Sequence, residues 1–144
     1  MRKTRGYMMY ARPVSENNKL NIMQWECGIP GTDMYAGGYF RINLFFKQTY
    51  PFTPPVAQFV CPVYHPNVYE NGTVCLDLLG DKWKPSLGIE RVLYALQQLL
   101  ANPNIKSPAN KAASDEYKNS KARFARKVRE NIKKYHTGHE WATE

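Results

Sequence analysis

The sequence predicts an α+β domain: a four-stranded antiparallel meander sheet with helices packed on one face. Three observations lead there. The first half holds short apolar segments separated by Gly, Pro and Asn clusters; the second half changes to a helical period; and 144 residues are the length of one ordinary domain, so a single unit over 1–144 is expected.

The elements follow in order. Residues 7–14 (YMMYARPV) and 20–29 (LNIMQWECGI) read as the first two strands. Residues 38–46 (GYFRINLFF) alternate, with Phe40, Ile42, Leu44 and Phe46 on one face and Tyr39, Arg41, Asn43 and Phe45 on the other. Pro51, Pro54 and Pro55 remove donors and fix the backbone, so residues 50–59 cannot be strand at their centre, and the fourth strand falls at 56–63 (VAQFVCPV). Strands joined by short connections favour a meander. In residues 86–104, Ile89, Val92, Leu93, Leu96, Leu99 and Leu100 follow the i, i+3, i+4, i+7 rule, and Pro103 closes a helix. From Ser107-Pro108 onward Tyr117, Phe124, Val128, Ile132 and Tyr135 share a side, as one helix or as two. Residues 136–144 (HTGHEWATE) have no period and are expected to form a flexible tail.

Composition narrows the classes. A hydrophobic content of 43% is that of a chain with a core. No run approaches the roughly 20 apolar residues of a membrane span, and MRKTRGYMMYARP has charge without the apolar centre of a signal peptide. The three cysteines, Cys27, Cys61 and Cys75, are an odd number without a CxxC, which suits a reducing compartment; a soluble protein of cytoplasm and/or nucleus is expected, with no membrane partner. The net charge of +8 is concentrated late, where Lys118, Lys121, Arg123, Arg126, Lys127, Arg129, Lys133 and Lys134 face Glu130 alone. This is either a solvated helix face or a surface for an acidic partner. No nucleic-acid motif accompanies it and its aromatics fall at helical core spacing, so nucleic acid is not the expected partner.

Between about Val63 and Leu87 the pattern is irregular, and long ordered loops in compact domains are usually functional. There HPNVYENGTVCLDLL sets Asn67 and Cys75 on either side of Asn71-Gly72, a tight-turn signal that would fold the two arms together. Asn67 cannot be a base. It can donate a hydrogen bond to an oxyanion, a contribution often worth about 3 kcal/mol from a preorganised donor. A thiol beside an amide donor suits acyl transfer through a thioester. The plainer alternatives are a cysteine serving as a small hydrophobe, the default for Cys27 and Cys61, and an Asn that only shapes a turn. A cysteine protease would need a histidine base. His65 is in range but sits before a proline, which restricts it, and it is expected to anchor the loop through its ring nitrogens. Cys61, His65 and Cys75 lack zinc-site spacing and a fourth ligand, and His136 and His139 do not form HExxH.

Together YPFTPPVAQF, VYHPNVYENGTVCLDLL, WKPSLGIERVLYALQQLLANPN and SPANKAASDEY resemble the ubiquitin-conjugating enzyme family, in order from about Tyr7 to Tyr135. The resemblance implies that Cys75 carries ubiquitin or a related modifier as a thioester, received from an activating enzyme and passed to a substrate lysine, usually with a ligase. It implies a catalytic set of Cys75, Asn67, Tyr69, His65 and Ser107, with Asn67 stabilising the oxyanion or ordering the loop, and ligase docking through Phe52, Lys84 and Pro85. ATP is used by the activating enzyme, so this chain needs no cofactor. A thioester is already reactive toward amines, so the enzyme need mainly position a neutral lysine, and desolvation can supply the neutral form without a base beside Cys75.

Two departures stand out. Family members normally begin with an amphipathic helix, whereas only MRKTRG precedes the first strand, so that helix is expected to be missing or very short, with Arg2, Lys3 and Arg5 keeping part of its surface. Ser107 stands where many relatives have an acid near the incoming lysine. For the modifier, HPNVY, QWECGIP and NPNIKSPA resemble the SUMO branch, while the Cys75–Trp83 interval and the short GIPGTDMYAGG resemble ubiquitin and NEDD8 carriers. The reading is a ubiquitin carrier, with a SUMO carrier as the alternative; an inactive binding variant would typically lack Cys75.

Overall fold

In a computed structural model, which describes residues 8–138, the first half forms β1 (Tyr10–Glu16), β2 (Lys19–Pro30), β3 (Tyr39–Phe45) and β4 (Val56–Phe59). They make one antiparallel sheet in the order β1-β2-β3-β4. The β1–β2 hairpin turns through Asn17 and Asn18, both at positive φ, a conformation that asparagine tolerates and two-residue hairpins require. The predicted alternation holds through the middle of β3, where Phe40, Ile42 and Leu44 are fully buried and Arg41, Asn43 and Phe45 are half-buried on the other face; Tyr39, read onto that second face, is buried as well, and Phe46 lies beyond the strand, half-buried.

The second half forms α1 (Ile89–Ala101), α2 (Lys111–Asn119) and α3 (Lys121–Tyr135). α1 buries Val92, Leu93, Leu96, Leu99 and Leu100 in one cluster with Cys27, Ile29, Ile42 and Leu44 of the sheet. The late helical stretch is two helices. Ser120 ends α2 and caps α3 by accepting the Arg123 N–H, while Asn110 caps α2 by accepting the Ala113 N–H. α3 adds Phe124, Val128 and Ile132 to the same core.

β2 and β3 each differ from the sequence reading by one residue at either end, and other boundaries differ by more. β1 starts at Tyr10, not residue 7. β4 stops at Phe59, because after the Val60 N–H bonds to Arg41 C=O the chain runs into Pro62, which has no donor to continue a ladder. The flexible tail expected from residue 136 does not begin there: His136 is fully buried, its Nε2 donates to Pro62 C=O at 2.7 Å, and its own carbonyl accepts the Tyr39 N–H at 2.9 Å. A solitary histidine after a basic run has no periodic signature, so its docking was invisible to pattern. Residues 139–144 and the MRKTRG segment lie outside the described residues.

Candidate active site

The loop between β4 and α1 is fastened to the sheet first. Val74 N–H donates to Ala57 C=O at 3.0 Å and Phe59 N–H to Gly72 C=O at 2.9 Å, so residues 72–74 lie along β4. The Asn71-Gly72 turn closes through Gly72 N–H to Tyr69 C=O and Thr73 N–H to Asn71 Oδ1, at 2.8 and 3.0 Å. Gly72 has φ +92°, and a Cβ there would meet the Phe59 carbonyl oxygen at 2.5 Å, so only glycine serves. The two arms then meet as the turn signal requires: Val68 bridges Val74, and Cys75 N–H donates to Asn67 C=O at 2.9 Å.

His65 and Asn67 lock that loop to the helical half. His65 is fully buried, with Nδ1 accepting the Asn67 N–H at 2.9 Å and Nε2 donating to Leu99 C=O at 2.8 Å. Burial lowers its pKa to about 4. The ring is therefore neutral with both nitrogens occupied, a geometry of anchoring rather than of proton abstraction. Asn67, also buried, holds one backbone residue with both ends of its amide: Nδ2 donates to Asn104 C=O and Oδ1 accepts the Asn104 N–H, each at 2.8 Å. Between them, Pro66 C=O accepts the N–H groups of Ala109 and Asn110 at the start of α2. One hydrogen-bonded unit thus joins Cys75, Asn67, His65 and the 104–110 segment that carries Ser107.

The remaining sequence-predicted residues are less tied. Tyr69 sits on the turn, about half exposed, and Ser107 is exposed. Of the three free cysteines, Cys27 is in the core, where burial first and nearby Glu26 second push its thiol up to about 12. Cys75 is half-buried on the loop, and Cys61 is half-buried rather than the core hydrophobe expected. Phe52, Lys84 and Pro85 are all exposed, Phe52 at 79%, which removes core packing as its role. Trp83 Nε1 donates to Pro51 C=O at 2.9 Å, so the loops bearing Phe52 and Pro85 are neighbours. No group of three or more His, Cys, Asp or Glu side chains poised for a metal occurs among the described residues.

Sequence reasoning missed the partners on the far side: Asn104, and Tyr64 with Glu116. Tyr64 OH donates to Glu116 at 2.6 Å, and Lys127 reaches the same carboxylate at 3.0 Å, tying the residue before His65 to α2 and α3. Asn104 takes part mainly through its backbone, which leaves no residue-type signal to find.

Against known proteins, the family model described as ubiquitin-conjugating enzyme matches residues 1–132. The chain belongs to the ubiquitin-conjugating enzyme family. Among curated relatives, "SUMO-conjugating enzyme UBC9" of Caenorhabditis elegans is 41% identical over 139 residues, 93% of this chain and 84% of the relative. "Sumo-conjugating enzyme ubc9" of Dictyostelium discoideum is 39% identical, covering 93% and 87%. "Ubiquitin-conjugating enzyme E2 2" of Aspergillus fumigatus is 37% identical over 126 residues, 86% and 81%. As a ubiquitin-conjugating enzyme the chain is a transferase that takes a ubiquitin-like protein from an activating enzyme and passes it to substrate protein.

Proposed function

We propose that Cys75 carries the C-terminus of a small modifier of the SUMO type as a thioester and discharges it to a substrate lysine. The observation that carries the thioester reading is the hydrogen bond from Cys75 N–H to Asn67 C=O, in a residue whose side chain holds Asn104, so that the thiol loop is joined to the 104–110 segment. A neutral lysine Nζ attacks the thioester carbonyl, the tetrahedral intermediate collapses, the Cys75 thiolate leaves and the ammonium proton passes to solvent. Asn67 acts chiefly by ordering the loops, since Asn104 takes both ends of its amide; the second hydrogen on Nδ2 is available to an oxyanion. His65 positions the Asn67 backbone and takes no proton. Tyr69 and Ser107 flank the approaching lysine, and Phe52, Lys84 and Pro85 form the ligase-facing surface. ATP is spent by the activating enzyme, with no cofactor on this chain, in cytoplasm or nucleus, where thiols stay reduced.

The SUMO assignment is supported by the two relatives that match 93% of the chain, both named as SUMO-conjugating. Ubiquitin is the second reading, favoured by the Cys75–Trp83 interval and by relatives named as ubiquitin-conjugating at 37% and 39% identity. Loading decides between them. The protein is mixed with ATP and matched activating enzymes for SUMO, ubiquitin and NEDD8 in turn, and gels are run with and without reductant. A reductant-sensitive band with SUMO alone is expected; a band with ubiquitin alone selects the second reading, and no band with any of the three sinks the carrier function.

A further inference from the structure

Residues 61–64 lead from the end of β4 into His65, and among the described residues no hydrogen bond between main-chain groups holds them. Side chains do so instead. Tyr35 OH donates to Tyr64 C=O at 2.5 Å, and the other grips come from the C-terminal part of the chain. Half-buried Asn131 of α3 spends both ends of its amide on this stretch: Oδ1 accepts the Tyr64 N–H at 3.2 Å and Nδ2 donates to Pro62 C=O at 3.0 Å. His136 Nε2 donates to the same Pro62 carbonyl. Tyr64 is held at its far end as well, where its hydroxyl donates to Glu116 of α2 and its ring centroid lies 5.5 Å from that of Phe124. Lys127, one turn before Asn131 on α3, fixes the Glu116 carboxylate at 3.0 Å.

The stretch so held is one end of a short path to the thiol. Tyr64 runs directly into His65, whose Nδ1 accepts the Asn67 N–H, and Asn67 C=O accepts the Cys75 N–H, each at 2.9 Å. Two hydrogen bonds therefore lie between the arm that Asn131 holds and the residue that carries the thiol. The other fastenings of the thiol loop act elsewhere: β4 holds residues 72–74, Leu99 of α1 holds the far side of the His65 ring, and Asn104 holds the Asn67 amide. Where the chain enters His65 is set by Tyr35 and by the α2–α3 pair.

We propose that Asn131 is a positioning residue for discharge: it fixes the Tyr64 backbone, and through His65 and Asn67 that fixes Cys75 for the attack of the amine. The proposal rests on the carrier function above and extends its machinery to α3. Loss of the Asn131 side chain leaves Pro62 C=O with His136, so the end of α3 keeps that tie, and strips the Tyr64 N–H of its partner. A donor left unpaired in a part-buried place is costly, and the arm relieves the cost by shifting. Small displacements passed to a reacting group cost rate even when the substitution is remote.

The test follows discharge to free lysine from enzyme preloaded with the modifier that it accepts, for the natural chain, Asn67→Ala, Asn131→Ala and the double variant. Asn131→Ala is expected to load fully and to show a kcat about fivefold lower with KM unchanged, the size of one hydrogen bond lost. In the Asn67→Ala background the same substitution is expected to add nothing, because the path to Cys75 is already cut. Ile132→Val weakens the packing of α3 without removing a hydrogen bond, and its kcat is expected to match the natural chain. Tyr64→Phe keeps the ring and loses only the bond to Glu116; it serves if Asn131→Ala does not fold, with a smaller fall in kcat. An unchanged kcat in Asn131→Ala, an equal fall in both backgrounds, or an equal fall in Ile132→Val would overturn the proposal. Amide hydrogen exchange of the unloaded protein needs no modifier, and in Asn131→Ala the Asn67 and Cys75 N–H groups are expected to exchange faster while those of α1 do not. That pattern in a chain that fails to load would sink the carrier function alone, and unchanged exchange at Cys75 in a chain that loads would sink the positioning role.

Discussion

The two rims of the candidate site are built on opposite plans. On the thiol side, residues 65–75 have buried polar groups with their hydrogen bonds made: both ring nitrogens of His65, both ends of the Asn67 amide, the Pro66 carbonyl and the Cys75 N–H. On the acceptor side, Ile105, Lys106, Ser107 and Pro108 are all exposed, and the segment is held at its ends, where Asn104 meets Asn67 and where Ala109 and Asn110 meet Pro66. In the proposed mechanism, then, the rim that carries the electrophile is fixed and the middle of the opposite rim is left open to the substrate. Preorganising the reacting bond while keeping its approach open suits a carrier that must serve different lysines.

The largest effect comes from breaking the fixed rim at the reacting atom. Cys75→Ala is expected to remove the reducible modifier adduct entirely, and Cys75→Ser to trap an ester that survives reductant; an adduct retained by Cys75→Ala would move the thioester to another cysteine, with half-buried Cys61 the first to examine. Next in size is His65. Its pKa is lowered to about 4 against an ordinary 6.5, so between those values the unfolded chain binds the proton and the folded one does not. The stability supplied by its neutral ring is complete above about pH 6.5 and is lost as pH falls toward 4, about 3 kcal/mol in all. Urea unfolding across that window should show the slope, and His65→Gln should flatten it; an unchanged slope in the variant would assign the acid sensitivity elsewhere. Asn67→Ala comes third, at about 2 kcal/mol of stability from two buried hydrogen bonds lost together. Discharge to lysine is expected to slow while loading persists. A slow discharge with an unchanged unfolding free energy would return Asn67 to a purely electrostatic role at the oxyanion.

The same contrast explains what the sequence disclosed. β3 and α1 were legible because one face of each is buried, and burial writes a period of 2 or 3.6 into residue type. The Asn67–Cys75 approach was legible because Asn71-Gly72 dictates a tight turn whatever surrounds it. The other half of the site was not. Asn104 contributes its backbone N–H and C=O, which every residue but proline possesses, and Leu99 contributes only a carbonyl to His65. Contacts made through the main chain carry no signature in residue type. His136 was misread for a related reason, since a buried histidine held by the Pro62 carbonyl has the same appearance in sequence as one in a frayed tail.

The smallest expected effect sharpens the comparison from the open rim. Ser107 is exposed, and no residue of the 105–108 stretch carries a carboxylate. Ser107→Asp places a negative charge where the lysine ammonium must arrive before it loses its proton. Exposed charge interactions are worth under about 1 kcal/mol, so discharge to free lysine should quicken only a few-fold, chiefly as a lower KM, and the gain should fade with added salt. The acid also disfavours loss of the proton, so at low pH the variant should bind more tightly yet gain little in kcat. Were Ser107→Asp instead to change loading or unfolding free energy, the 105–108 stretch would belong to the fixed rim, and the division between a rigid electrophile and an open approach would be wrong.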